Sequence, residues 1–426
     1  MESKKISYCL ITALCYCVLF CACSQQEPKR TVWLIPVYGQ SLALGEEAIR
    51  ITDFDSLRIK YNGRIVTERL DNDYGYFSDS KLKTWLKRLI GYNHRQFELS
   101  VYGMAEYILQ HEMKQGNDSL MLCIFPGGQG STALAELGRA SKAYSYFLQS
   151  IEEAYQKSIS KGWKFKVPAL CWMHGENDMV WGWKGYKELL SRFAQDFNED
   201  VKHIIGQKSD VVFVSYQTNC LALSEEEYHP NAYNCPETEV PTAQMELIRD
   251  NELFMASGPT YPYSFVSERV HLDGFSQNVL GHLAALSVLR LTNGEESDGV
   301  IPTRMEVSGD TVIVDFNIPS PPLVIDTVNI RKADHWGFSV ISPSNTNILT
   351  RVILQHNRIK LVCNHAPTGC KIRYAVNGEV GKSGNPYGPR GNLRDSQGDH
   401  IVAVIQGKRV PLYNWCYQFD EILLNE

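Results

Sequence analysis

The sequence holds no Cys-x-x-Cys pair and no His-Glu-x-x-His. A zinc site is left without the ligand spacing that such sites use, and no metal or other cofactor is expected. There is no basic stripe or block, and the formal net charge of -6 is spread along the chain. Nucleic acid, which needs a concentrated positive surface, is rejected as a partner. No internal repeat is visible, and beyond Cys23 no apolar run is long enough to span a bilayer. Cysteine is scarcer than its total of 12 suggests: Cys9, Cys15, Cys17, Cys21 and Cys23 all belong to the first residues, and seven remain, an odd number. Cys220 with Cys235 and Cys363 with Cys370 are close enough in sequence for disulfides, whereas Cys123 and Cys171 lie inside apolar runs and read as buried thiols.

What the chain does have begins with a leader. Lys4 and Lys5 precede the apolar stretch Ile6 to Ala22, which gives way abruptly to Cys23-Ser24-Gln25-Gln26-Glu27-Pro28-Lys29. This is the pattern of a secretory leader over residues 1–22. Its end, Leu19-Phe20-Cys21-Ala22-Cys23, resembles the lipobox of bacterial lipoproteins. The resemblance implies a lipidated Cys23, a tether over 23–30, and a protein of the bacterial cell envelope that meets the membrane only through its anchor.

The mature chain is long enough for two or three domains. From Thr31 to about Gly294, short apolar runs alternate with helical periodicity. Thr31–Tyr38, Leu120–Phe125, Lys166–Met173 and Asp210–Tyr216 lack strict alternation, as strands buried on both faces do. Ala133–Lys161, Gly185–Ile205 and Phe275–Arg290 carry apolar residues at three and four residue spacing. The expectation over 31–294 is a parallel sheet with helices on both faces. The polar, acidic segment Thr292 to Gly299 reads as a boundary. Beyond it, over 300–426, short β-branched runs separated by turns such as Asn377-Gly378 predict a β-sandwich. Gly378 to Gly398 reads as loop, with Arg390 and Arg394 in solvent.

Parallel sheets place ligands outside the carboxyl ends of their strands, so the residues after each strand carry the chemistry. Gly39-Gln40-Ser41 follows the first. The glycine loop Pro126-Gly127-Gly128-Gln129-Gly130-Ser131-Thr132 follows the second, and His174-Gly175-Glu176-Asn177-Asp178 the third. Glu268-Arg269-Val270-His271 precedes the last helix of that part. Together they supply the groups acyl transfer requires. Ser41 is a weak nucleophile that needs a base, histidine titrates near neutral pH, and a carboxylate fixes its tautomer. A glycine-loop N–H and a side-chain amide supply oxyanion donors.

The order of these blocks resembles that of the SGNH hydrolases, and more narrowly the sialate O-acetylesterase-like carbohydrate esterases, whose third block commonly reads W-x-Q-G-E where this chain has Trp172-Met173-His174-Gly175-Glu176. Phe97-Glu98-Leu99 and Ala243-Gln244 add to the likeness. The resemblance implies a three-layer α/β/α, flavodoxin-like domain and a cofactor-free serine esterase that removes acetyl groups from a carbohydrate. It assigns Ser41 as nucleophile, His271 as base and Glu268 as orienter, with Asp273 the alternative. Gly130 or Gly128, with Asn177 or His174, would face the oxyanion, and Gln40, Glu176, Trp181 and Trp183 the substrate. The sequence departs from the family pattern at His174, at Glu268 where aspartate is usual, and in a glycine loop longer by two residues. Two rivals stand beside this reading: an SGNH hydrolase of lipids or thioesters, and a surface glycan-binding protein without activity.

Overall fold

Thr31 to Tyr38 is apolar on both faces and enters the middle of a parallel sheet, but Pro36 has no N–H to donate and interrupts it. The computed structural model describes residues 29–67, 97–180, 184–219, 228–295 and 299–423, and the leader, Cys23, Trp181, Trp183 and Cys220 lie outside them. The run is split into β1 (Thr31–Leu34) and β2 (Val37–Gly39). Beside β3 (Ile65–Val66), the segment β4 (Leu120–Cys123) and β5 (Pro126–Gly128) flanks β1 and β2 on one side in unbroken register. On the other side lie β6 (Lys164–Lys166) and β7 (Ala169–Met173), where the shift from Trp33 opposite Lys166 to Val37 opposite Cys171 takes up one extra residue near Pro168. Strands β8 (Val212–Gln217) and β9 (Phe254–Pro259) complete the parallel array. Later strands therefore lie on both sides of β1 and β2, which makes the carboxyl end of β2 the point where the strand order reverses.

Helices cover both faces. The short α1 (Phe54–Lys60) is followed by α2 (Ser100–Lys114), α3 (Lys142–Ser160), α4 (Glu176–Val180), α5 (Tyr186–Ile205), α6 (Glu239–Asp250) and α7 (Gly274–Thr292). Adjacent residues of β7 show the two faces: Cys171 Sγ lies 3.4 Å from Met104 Sδ of α2, while the ring of Trp172 packs 5.0 Å from Phe193 of α5. Tyr38 joins that second layer, its ring 4.6 Å from Phe147 of α3, and its hydroxyl donates to the Leu137 carbonyl at 2.8 Å. The helix expected from Ala133 begins only at Lys142, where the Ser141 hydroxyl accepts from Tyr144 N–H. Residues 134–136 form a single 3-10 turn instead. Among the described residues no helix is long and apolar enough to cross a membrane.

The remaining elements are antiparallel. Strands β10 (Ile301–Ser308), β11 (Thr311–Asn317), β12 (Val324–Ile325), β13 (Phe338–Ile341), β14 (Leu349–Gln355) and β15 (Arg358–Cys363) lead to β16 (Lys371–Tyr374) and β17 (Leu393–Arg394). Strands β18 (Val402–Ile405), β19 (Lys408–Pro411) and β20 (Phe419–Ile422) follow. The sheets β10-β11-β15-β14 and β13-β16-β20 pack as a sandwich, with Phe316 of β11 and Phe419 of β20 at 6.5 Å across the core. Strand β11 alternates inward and outward residues, as a sheet with one wet face should.

Three expectations change in this part of the chain. Cys363 and Cys370 are free thiols, both buried. Arg390 and Arg394, expected in solvent, are each 8% exposed. Arg390 donates to the carbonyls of Arg331, Tyr387 and Gly388, and Arg394 meets Asp326 at 2.7 Å and lies over the Tyr413 ring. Buried guanidinium groups need this many acceptors, and here they tie the loop together. The two parts of the chain share one continuous core, and Gln217 and Gln418 exchange hydrogen bonds across it.

Candidate active site

The carboxyl end of β2 runs directly into Ser41. Gly39 lies so close to β7 that a Cβ there would fall 1.9 Å from the Met173 carbonyl oxygen, and one on Gly128 would fall 1.8 Å from that of Gly39. Only glycine lets the three strand ends approach at this level. Past Gly39 the chain coils tightly: Leu44 N–H donates to the Gln40 carbonyl, Glu46 N–H to that of Ser41, and Ala48 N–H to that of Gly45. Buried Glu98 secures the far side of this coil, accepting from Ile51 N–H, Thr52 N–H and Asn278 Nδ2. On the near side, Gln277 of α7 donates to the Leu42 carbonyl at 3.0 Å.

Helix α7 also brings in the histidine. Asp273 caps it by accepting from Ser276 N–H at 2.7 Å, and His271 stands two residues before that cap. His271 Nε2 lies 2.8 Å from Ser41 Oγ, with Ser41 only 5% exposed. The other ring nitrogen, Nδ1, meets Glu47 Oε2 at 2.7 Å. With Nδ1–H donating to that carboxylate, Nε2 holds the lone pair and accepts the Ser41 hydroxyl, the tautomer that a general base requires.

Glu47 corrects the expected orienter. Glu268 turns away from His271 and pairs with Lys382, because the backbone at Ser267 and Glu268 is left-handed and directs the side chain to the C-terminal part. Asp273 is committed to its helix cap. Glu47 stands six residues after Ser41, and its own φ of 62° folds the coil back so that its carboxylate reaches the imidazole. Sequence spacing carries no trace of this. The adjacent acids Glu46 and Glu47 were the available signal, and only the turn geometry chooses between them.

The oxyanion candidates separate in the same way. His174 is fully buried, its Nε2 2.9 Å from the Thr132 carbonyl and its Nδ1 3.2 Å from the Tyr186 hydroxyl. Both nitrogens are occupied, and burial pushes its pKa down to about 4. It braces the glycine loop against β7 and offers nothing to a substrate. Asp178, buried beside it, accepts from Leu134 N–H at 3.0 Å, and burial lifts its carboxyl to about 6. Asn177 is half-buried at the start of α4, and its side-chain amide has no hydrogen-bond partner among the described residues. The backbone N–H groups of Ser41 and Gly130 are likewise unpaired there. Gly128 sits in β5 against β2, one step back from the rim.

Two residues assigned to substrate are buried supports. Gln40 is 3% exposed and accepts from Asn177 N–H at 3.3 Å, which links the serine coil to α4. Glu176 is 4% exposed and accepts from the Tyr216 hydroxyl, and burial raises its pKa. Gln244 completes the frame, donating to the His174 carbonyl at 2.7 Å and accepting from Thr218 N–H. Among the described residues no group of three His, Cys, Asp or Glu side chains is placed to hold a metal ion.

A carbohydrate acetylesterase from Xanthomonas citri matches 92% of this chain with 80% of its own, at a TM-score of 0.59 and 14% identity. At this identity the likeness is one of fold. Two further structures match part of the chain. A protein from Arabidopsis thaliana matches 62% of the chain with 98% of its own (TM-score 0.42, 17% identity), and NanS matches 63% with 99% of its own (TM-score 0.41, 13% identity). No protein-family model and no curated protein matches the sequence.

Proposed function

We propose that this chain is a serine esterase that removes acetyl groups from a carbohydrate. The observation that carries the reading is the Ser41–His271–Glu47 chain of hydrogen bonds, at 2.8 and 2.7 Å, on the rim where the strand order reverses. In this reading Ser41 Oγ attacks the ester carbonyl as His271 Nε2 takes its proton. The oxyanion meets the N–H groups of Ser41 and Gly130 and the Asn177 amide, all otherwise without partners among the described residues. The intermediate collapses, His271 returns the proton to the departing sugar oxygen, and acetyl-serine remains. Water, deprotonated by His271, then releases acetate and frees Ser41.

The carbohydrate part of the proposal is supported by the likeness of both parts of the chain to the Xanthomonas citri carbohydrate acetylesterase. The leader and Cys23 support action at the bacterial cell envelope, tethered by lipid. Acetate release from a panel of acetylated sugars, set against long-chain esters and thioesters, tests the substrate class. Wild type is expected to release acetate from sugars and Ser41→Ala to lose at least about 10⁴-fold in kcat. Glycan binding without acetate release, unchanged in Ser41→Ala, would sink the esterase reading.

A further inference from the structure

The loop that carries His271 is completed by the C-terminal part of the chain. Phe265 and Leu272 form an isolated antiparallel bridge, and Val266 N–H donates to the His271 carbonyl at 2.7 Å. Residues 264–273 are thereby closed into a loop with Ser267 and Glu268 at its tip. Both hold left-handed backbone, with φ of 53° and 57°. Non-glycine residues keep that conformation where neighbours over-determine it.

Those neighbours are residues 379–388. Ser383 N–H donates to the Glu268 carbonyl at 2.8 Å, Asn385 N–H donates to that of Tyr263 at 3.2 Å, and the Lys382 ammonium pairs with the Glu268 carboxylate. Gly384, at φ +67°, packs so tightly that a Cβ would lie 2.4 Å from the Tyr263 carbonyl oxygen. The segment is itself built: Glu379 N–H donates to the Tyr387 carbonyl and Gly388 N–H to that of Gly384, while buried Arg390 gathers the Tyr387 and Gly388 carbonyls from behind. A prebuilt loop of the sandwich thus grips the strained tip three residues before His271.

We infer that residues 379–388 are a clamp on the catalytic histidine, in which Lys382, acting through Glu268, is a positioning residue. The sandwich is then a component of the active site. Lys382 and Glu268 are each more than a third exposed, so the attraction between them is screened and its worth is geometric. The pair and the two backbone bonds hold the tip, the tip fixes the height of His271 above Ser41, and a misplacement on the order of 1 Å at such a site costs up to about 10²-fold in rate.

This inference rests on the esterase reading, and the test separates the two. Full-length wild type, Lys382→Ala, Lys382→Arg and Ser41→Ala are compared for kcat and KM on an acetylated sugar and for the rate at which a fluorophosphonate labels Ser41. Lys382→Ala is expected to lose about 10- to 100-fold in kcat with KM near wild type. Its labelling rate should fall by the same factor, and Lys382→Arg should recover most of both. Wild-type kcat and labelling in Lys382→Ala overturns the clamp while leaving the esterase standing. So does a loss shared equally by the Ala and Arg variants and matched by a lower Tm. Activity that survives in Ser41→Ala removes the esterase reading itself.

Discussion

The carboxylate of Glu47 reaches His271 Nδ1 at 2.7 Å from within the coil that carries Ser41. Nucleophile and orienter are therefore one rigid unit, secured from behind by Glu98, and the histidine docks onto it from α7. Separating the two acids that flank His271 in sequence from the one that touches it gives a direct prediction. Glu47→Gln leaves the turn intact but removes the negative acceptor, and kcat is expected to fall by about 10²–10⁴-fold. Asp273→Ala removes only a helix cap, which costs about 1 kcal/mol of stability and leaves kcat per folded molecule at the wild-type level. Steady-state rates beside urea unfolding curves check both. An active Glu47→Gln enzyme would return the role to another carboxylate.

The oxyanion assignment divides Asn177 from His174 in the same manner. Asn177→Ala deletes a side-chain donor of the rim that has no partner among the described residues, and kcat should drop by about 10²–10³-fold with little change in KM. His174→Gln should keep kcat, because the wild-type ring points at Thr132 and Tyr186. The reverse pattern of losses would exchange the two roles.

Much of this was legible in the sequence because strand-end positions follow from buried apolar runs. Gly39-Gln40-Ser41, the glycine loop, the 174–178 block and His271 all fall where the ends of β2, β5 and β7 and the start of α7 place them. What the sequence hid lies in turns. Glu47 reaches the histidine through a left-handed residue, and Glu268 leaves it through another. Neither conformation is dictated by the residue type, since tertiary contacts hold both. In the sequence His174 stands level with Asn177 as an oxyanion candidate, because a histidine in a rim block looks like a donor until the Thr132 carbonyl and Tyr186 hydroxyl are seen on either side of its ring. The arginines of the late loop were misplaced because burial of a guanidinium depends on carbonyls far away in sequence, such as that of Arg331.

The buried contact between His174 and Asp178, 3.6 Å apart, makes a prediction about pH. Burial holds His174 neutral down to about 4, against an ordinary 6.5, so between those values the unfolded chain takes up a proton that the folded chain refuses. That term removes stability as pH falls through the window, by about 3 kcal/mol in all. Burial also lifts Asp178 from 3.8 to about 6, so over nearly the same range the folded chain keeps a proton that the unfolded chain gives up. That second term adds stability as pH falls, and the two oppose each other. Single variants should uncover slopes of opposite sign. Relative to wild type, His174→Gln is expected to gain stability at about pH 4.5 compared with pH 7, and Asp178→Asn to lose it, each by up to about 3 kcal/mol. Urea unfolding at the two pH values reads the difference directly. Curves for His174→Gln that run parallel to wild type would mean that His174 is not held neutral by burial, and would reopen it as a group that meets solvent and substrate.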